Sequence, residues 1–165
     1  MSFVHLHCHS EYSLLDGANR VEDLIARALE FEQPALAITD HGNMHAAWTF
    51  QEKAKKAGLK PILGMEAYVA PGDRRARQRV ESSFQSGHNG NSGKTAQFGK
   101  SRAYYHLILL AQNATGYKNL VKLSSLAYTE GFYSKPRVDR ELLARYNEGI
   151  VVSSACMAGE VATHL

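Results

Sequence analysis

The sequence predicts an α/β fold in which short buried strands alternate with amphipathic helices on a barrel-like sheet. Three observations carry the prediction. Apolar runs such as Ala35-Leu36-Ala37-Ile38 and Ile150-Val151-Val152 alternate with segments of helical period, the pattern of strands joined by crossover helices on a parallel sheet. Histidine, carboxylate and thiol side chains recur near the ends of those strands. A barrel and a doubly wound open sheet both fit the alternation. However, no Gly-x-Gly-x-x-Gly follows the first strand, and histidines stand where those glycines would be, which favours the barrel-like sheet.

The first strand is expected around His5-Leu6-His7-Cys8-His9, flanked by Phe3 and Val4. Successive strand side chains point to opposite faces, so His5, His7 and His9 would share one face while Leu6 and Cys8 take the other. Asn19 and Glu22 have the spacing of a capping box before Val21, Leu24, Ile25, Ala28 and Leu29, which predicts a helix from about Arg20 to Phe31. Pro34 stops that helix, and Ala35 to Ile38 suits a buried strand ending in the turn Thr39-Asp40-His41-Gly42-Asn43. A second helix is expected from about Ala46 to Ala57, closed by Gly58, with a third strand over Pro61 to Val69. Residues 71–103 have almost no apolar periodicity; an arginine-rich half precedes a Gly/Ser/Asn-rich half, and the stretch is expected to project as a flexible insert. Tyr104 to Leu110 reads as a fourth strand. Thr115 is placed to cap a helix reaching about Tyr128, and Asp139 to cap a short one through Arg145. Ile150 to Ser153 gives a fifth strand, and a last helix begins near Gly159.

The 165 residues are 44% hydrophobic, enough to bury a core of one domain or part of a larger one. The net charge of +3 is uneven: Asp73 to Arg102 holds seven cations against two anions, so the rest of the chain is net negative. No run is apolar and long enough to cross a bilayer, and Met1 leads into the histidine strand without a leader pattern, so no membrane association and a cytoplasmic location are expected. Cys8 and Cys156 form no Cys-x-x-Cys pair and suggest no disulfide framework.

His7 and His9 end the first strand, His41 follows the second, Glu66 lies late in the third, His106 is in the fourth and Cys156 follows the fifth. In parallel α/β folds the C-terminal strand ends converge on one face, where barrel enzymes carry their sites. Imidazole, carboxylate and thiolate together suit Zn²⁺, Mn²⁺ or Fe²⁺ and suit Ca²⁺ poorly. More ligands than the four of one structural zinc argue for more than one ion, the equipment of phosphate-ester hydrolysis. A carboxylate such as Glu66 among apolar strand residues is costly unless a cation meets it. Asp16 reads equally well as a ligand or as a turn residue before Gly17, and Cys156 alone reads as core. His45, His88 and His164 are expected to have no role. Arg74, Arg75, Arg77 and Arg79 are candidates to meet DNA phosphates, and equally suit a solvated loop.

Taken together, several motifs resemble the polymerase and histidinol phosphatase (PHP) superfamily. They are His-x-His at the first strand, Thr39-Asp40-His41-Gly42-Asn43, Lys60-Pro61-Ile62-Leu63-Gly64-Met65-Glu66-Ala67-Tyr68 and Ser154-Ala155-Cys156-Met157-Ala158-Gly159-Glu160. With Gly116-Tyr117-Lys118-Asn119-Leu120 and Glu130-Gly131-Phe132-Tyr133, the likeness is closest to the PHP domains that open bacterial replicative DNA polymerases. The resemblance implies a distorted seven-stranded, TIM-barrel-like β/α barrel, of which residues 1–165 are the N-terminal part, holding up to three divalent ions. It implies the ligands His7, His9, Asp16, His41, Glu66, His106 and Cys156, with Asp40 behind them steering His41 and His5 one layer below. It further implies 3′ to 5′ exonuclease chemistry on DNA in replication. The implied partners are the remainder of the polymerase alpha subunit and other holoenzyme subunits, including a proofreading exonuclease. The alternative is a non-catalytic, metal-stabilised scaffold that docks that exonuclease. An amidohydrolase also starts with His-x-His on a barrel strand, but its customary lysine ligand on a later strand is not found in the fourth or fifth strand.

Overall fold

The computed structural model describes residues 3–14, 16–79 and 103–165. The element order is α1 (Val21–Glu30), β1 (Ala35–Ile38), α2 (Ala47–Lys56), β2 (Lys60–Val69), β3 (Tyr105–Ala111), α3 (Ala114–Thr129), β4 (Arg137–Val138), α4 (Arg140–Arg145), β5 (Ile150–Ser153) and α5 (Glu160–His164). The fold is mixed α/β around one sheet of order β1-β2-β3-β5, with β4 paired to the end of β2.

The sheet is not all parallel. β1 and β4 run parallel to β2, but β3 runs antiparallel to both β2 and β5. Parallel neighbours need a crossover connection, which α2 supplies between β1 and β2. The first stretch also departs from expectation. Residues 5–9 form no ladder strand; they lie along β1 through Ala37 N donating to His5 O and Thr39 N donating to Cys8 O. The expected capping box is absent as well. Arg20 is the N-cap of α1 and has no side-chain cap, while Asn19 Nδ2 donates to His9 O and ties the helix entry to the histidine segment.

Both faces of the central strands are covered, and the period-two alternation of side-chain direction separates core from site. Met65, Ala67 and Val69 of β2 face one way with Tyr105 and Leu109 of β3, and pack against Leu120, Leu123 and Ala127 of α3 and Leu142 of α4. On β1, Leu36 and Ile38 join Val21, Ile25, Phe50 and Ala54 beneath α1 and α2. The opposite face carries Ala37, Ile108 and Leu110 as a small apolar floor, and beside it the polar residues 66, 68 and 106.

The expected insert begins as fixed structure. Arg74 is 4% exposed; its guanidinium donates to Glu130 at 2.6 Å, Asp139 at 2.9 Å and Glu141 at 3.0 Å. Arg137, at 1% exposed, has no carboxylate partner among the described residues. It donates instead to four backbone carbonyls, those of Gly131, Ala103, Arg74 and Ala76, at 3.1, 3.2, 2.7 and 2.9 Å. Residues 80–102, which hold most of the insert and His88, lie outside the described residues. No helix of the described residues is long and apolar enough to cross a membrane.

Candidate metal centre

Glu66 is the hub of the polar face, 1% exposed on β2. Its Oε2 lies 2.7 Å from His7 Nε2 and 2.6 Å from His9 Nε2, and its Oε1 lies 2.6 Å from His106 Nδ1. Register explains the meeting with His106: Tyr68 stands opposite His106 and Glu66 opposite Ile108, so all four point to one face. Because β3 is antiparallel, it is the beginning of that strand that lies beside the end of β2. His41 arrives differently. The chain leaving β1 stays paired to β2, with Glu66 N donating to Asp40 O and Gly42 N donating to Glu66 O. His106 N donates to Ala158 O, and this draws in Cys156, whose Sγ lies 3.6 Å from His106 Nδ1 and 3.7 Å from Glu66 Oε1.

Asp16 completes the rim, its Oδ2 3.0 Å from His9 Nδ1 and 2.9 Å from His41 Nε2. The tight loop that carries it needs Gly17, since a Cβ there would stand 1.8 Å from Ser10 O. Asp40 is buried and touches no imidazole. Its carboxylate accepts from Ser10 N at 2.6 Å, Ser10 Oγ at 2.8 Å and Ser13 Oγ at 3.2 Å, while Ser13 Oγ accepts from His41 N at 2.9 Å. The expected steering of His41 by Asp40 therefore passes through a serine hydroxyl rather than through the ring.

Three groups have ligand atoms all within 4.8 Å of one another: His7, His9 and Glu66; His9, Asp16 and His41; and His41, Glu66 and His106. They share His9, His41 and Glu66, so they form one cup and not three separate sites. The donor set fits divalent ions. His41 Nδ1 is buried without a hydrogen-bond partner among the described residues, 3.6 Å from Glu66 Oε2. His7 and His9 Nε2 stand 3.2 Å apart and meet the same carboxylate oxygen. A tetrahedral ion with bonds of about 2.0–2.1 Å holds its ligand atoms about 3.3 Å apart, close to that spacing.

Electrostatics sharpen the picture. Burial would raise the Glu66 carboxyl, but hydrogen bonds from His106, His9 and His7 hold it well below the usual carboxylate range, so it is an anion. Burial lowers the His41 imidazole, leaving it neutral with a lone pair to offer. His9 goes the other way: burial opposes its charge, yet Glu66 and Asp16 raise it. Burial pushes the Cys156 thiol up, and Glu66 adds to this.

The remaining candidates separate clearly. His5 is exposed, its ring edge-on to Phe3, and joins no ligand group. His45 is exposed, and His164 touches Tyr105 Oη, away from the cup. Arg74 is buried in its carboxylate cluster and is not presented to a nucleic acid, which corrects that expectation. Arg75 is exposed and pairs with Glu130 at 2.9 Å, Arg77 lies 5.9 Å from the Tyr133 ring centroid, and Arg79 is exposed. Sequence reasoning passed over three residues at the cup. Tyr68 is parallel to His41 at 5.5 Å, Tyr104 lies edge-on to Tyr68 at 4.6 Å, and Lys135 sits over Tyr68. The alternation of Glu66 and Tyr68 along one strand was the available signal for the first of these.

The family model of the PHP domain matches residues 5–165. This chain belongs to the PHP domain family. Among curated relatives, this PHP chain is 50% identical over 161 residues to the DNA polymerase III subunit alpha of Treponema pallidum, covering 98% of the chain and 12% of that protein. It is 49% identical over 172 residues to that of Saccharopolyspora erythraea, covering 99% and 14%, and 47% identical over 165 residues to that of Mycobacterium leprae, covering 99% and 14%. The PHP chain thus spans 12 to 14% of the length of these relatives. Among solved structures, an amidohydrolase from Chromobacterium violaceum is similar at 19% identity and a TM-score of 0.44, covering 74% of this chain and 34% of its own.

Proposed function

We propose that this PHP domain is a metal-dependent phosphoesterase acting as a 3′ to 5′ exonuclease on DNA, within a replicative polymerase of the cytoplasm. The observation that carries the reading is the sharing of His9, His41 and Glu66 among three ligand groups, since ions bound there would be neighbours. Neighbouring divalent ions supply an acidified water and positive charge for both the attacking and the leaving oxygen of a phosphate ester. His7, His9 and Glu66 would hold a first ion, Asp16 and His41 would join His9 at a second, and His106 would join Glu66 and His41 at a third, with Cys156 beside it. Asp40 keeps the loop of Ser10 and Ser13 in place, and through Ser13 fixes the backbone of His41. Ala37, Ile108 and Leu110 keep water from beneath the cup.

The test is made in the full-length protein. Metal content is measured together with release of nucleotides from the 3′ end of a labelled single-stranded oligonucleotide, for the wild type and for His9→Ala and Asp16→Asn. The expected result is metal-dependent release that both variants lose while nucleotide incorporation persists. Full metal content without release would favour the scaffold reading, in which the cup ties segment 5–9 and strands β2 and β3 together around Glu66 and the domain docks a separate proofreading subunit.

A further inference from the structure

We propose that Lys135 is the cation that receives the phosphate group of the substrate at the cup, with Tyr104 as the flat surface against which the rest of the ester lies. The inference rests on the phosphoesterase reading above. Lys135 Nζ lies 5.6 Å from the centroid of the Tyr68 ring. That ring is parallel to His41 at 5.5 Å and edge-on to His106 at 5.3 Å, so the ammonium is one ring away from two of the cup's imidazoles. Lys135 makes no ion pair among the described residues: the cation–π contact holds the ammonium over the Tyr68 ring, and no carboxylate neutralises it.

Its placement is built into the backbone. Ser134 adopts φ 64, the left-handed region that side chains avoid, and Tyr133 N donates to Lys135 O at 3.0 Å, closing a tight turn. On the far side, Pro136 packs where a Cβ on Gly42 would come within 2.9 Å of its Cγ, and Gly42 directly follows the ligand His41. Arg137, locked by its four carbonyls, also lies 5.0 Å over the Tyr133 ring. The turn is therefore pinned on both flanks, and the residue it presents is a half-buried lysine. Tyr104 is half-buried too, its ring near-parallel to His106 at 5.8 Å. A phosphate ester is an anion joined to an organic group, and an ammonium without a carboxylate partner, with the Tyr104 ring set against the same Tyr68 ring at 4.6 Å, matches both parts.

The test uses the full-length protein loaded with Mn²⁺, with inorganic phosphate as the probe. Paramagnetic broadening of the phosphorus resonance reports phosphate beside the ions, and the His9→Ala variant supplies the background from any other site. Lys135→Ala is expected to weaken this phosphate binding about 10-fold, the loss of one charged hydrogen bond, and to raise KM for an oligonucleotide while leaving kcat within about 2-fold. Lys135→Arg is expected to restore most of the affinity. Unchanged phosphate binding in Lys135→Ala, or a fall in melting temperature and metal content that accounts for the loss, would overturn the assignment. So would a wild type that binds no phosphate beside its ions. If the wild type binds phosphate through Lys135 yet cleaves no oligonucleotide, the hydrolytic reading falls and the phosphate site stands.

Discussion

Replacing Glu66 with glutamine keeps the size of the side chain and removes its charge. Glu66 belongs to two of the three ligand groups, and Asp16 is the one other carboxylate in them. Glu66→Gln therefore halves the anionic charge of the cup and weakens two ion positions at once, whereas Asp16→Asn touches one. An amide also presents NH₂ donors to a site whose three nearest imidazole nitrogens lie 2.6 to 2.7 Å away, so one contact must be rebuilt even before an ion enters. Trading an ionised ligand for a neutral one is expected to cost about 3 kcal/mol per ion, or about 100-fold in affinity. Titration calorimetry with Zn²⁺ or Mn²⁺ on the metal-free protein would read this as two weakened sites in Glu66→Gln and one in Asp16→Asn. Equal stoichiometry and affinity in wild type and Glu66→Gln would refute the shared-ligand geometry.

Three further outcomes follow from the same contacts. Arg137→Met removes the guanidinium donor from four backbone carbonyls, Gly131 O alone keeping the backbone N of residue 137 as a donor, and denaturant titration should show a loss of about 3 kcal/mol, with Arg137→Lys recovering only part. Burial would raise the Asp139 carboxyl, but Leu142 N, Arg74 N and the Arg74 guanidinium hold it below the usual carboxylate range. A lowered folded value gives stability that is present above the unfolded value of about 3.9 and is lost as pH falls through the folded one, so acid melts should drop below about pH 4 with a shallower drop in Asp139→Asn. Zn²⁺ or Mn²⁺ in about 100-fold excess over Kd should stabilise the protein by about 2.7 kcal/mol, which a chelator removes; an unchanged melting temperature would count against the cup as a metal site.

Part of the cup is legible in the sequence because Glu66 and His106 lie on strands and His7 and His9 alternate along an extended segment. Alternation in His5-Leu6-His7-Cys8-His9 and a carboxylate inside an apolar strand are signals that survive without a fold. The direction of β3 was not legible, because an apolar run reads the same for a strand run either way. Asn19 and Glu22 had the spacing of a cap, yet Asn19 is spent on His9 O, a tertiary bond that local pattern cannot reveal. Arg74 looked like one basic residue among several, because its three acidic partners lie more than fifty positions away. Lys135 and Tyr104 are ordinary in composition and acquire meaning only through the rings beside them.

Arg137 binds carbonyls at residues 74 and 76 on one side and at residue 103 on the other, so a single guanidinium moors both shores of the stretch between them. Whatever length or composition that stretch takes, its two anchorages stay at a fixed separation, and Tyr104 and His106 start from the same point. Loosening that guanidinium would therefore be felt directly at Tyr104 and His106, which follow Ala103 in the chain.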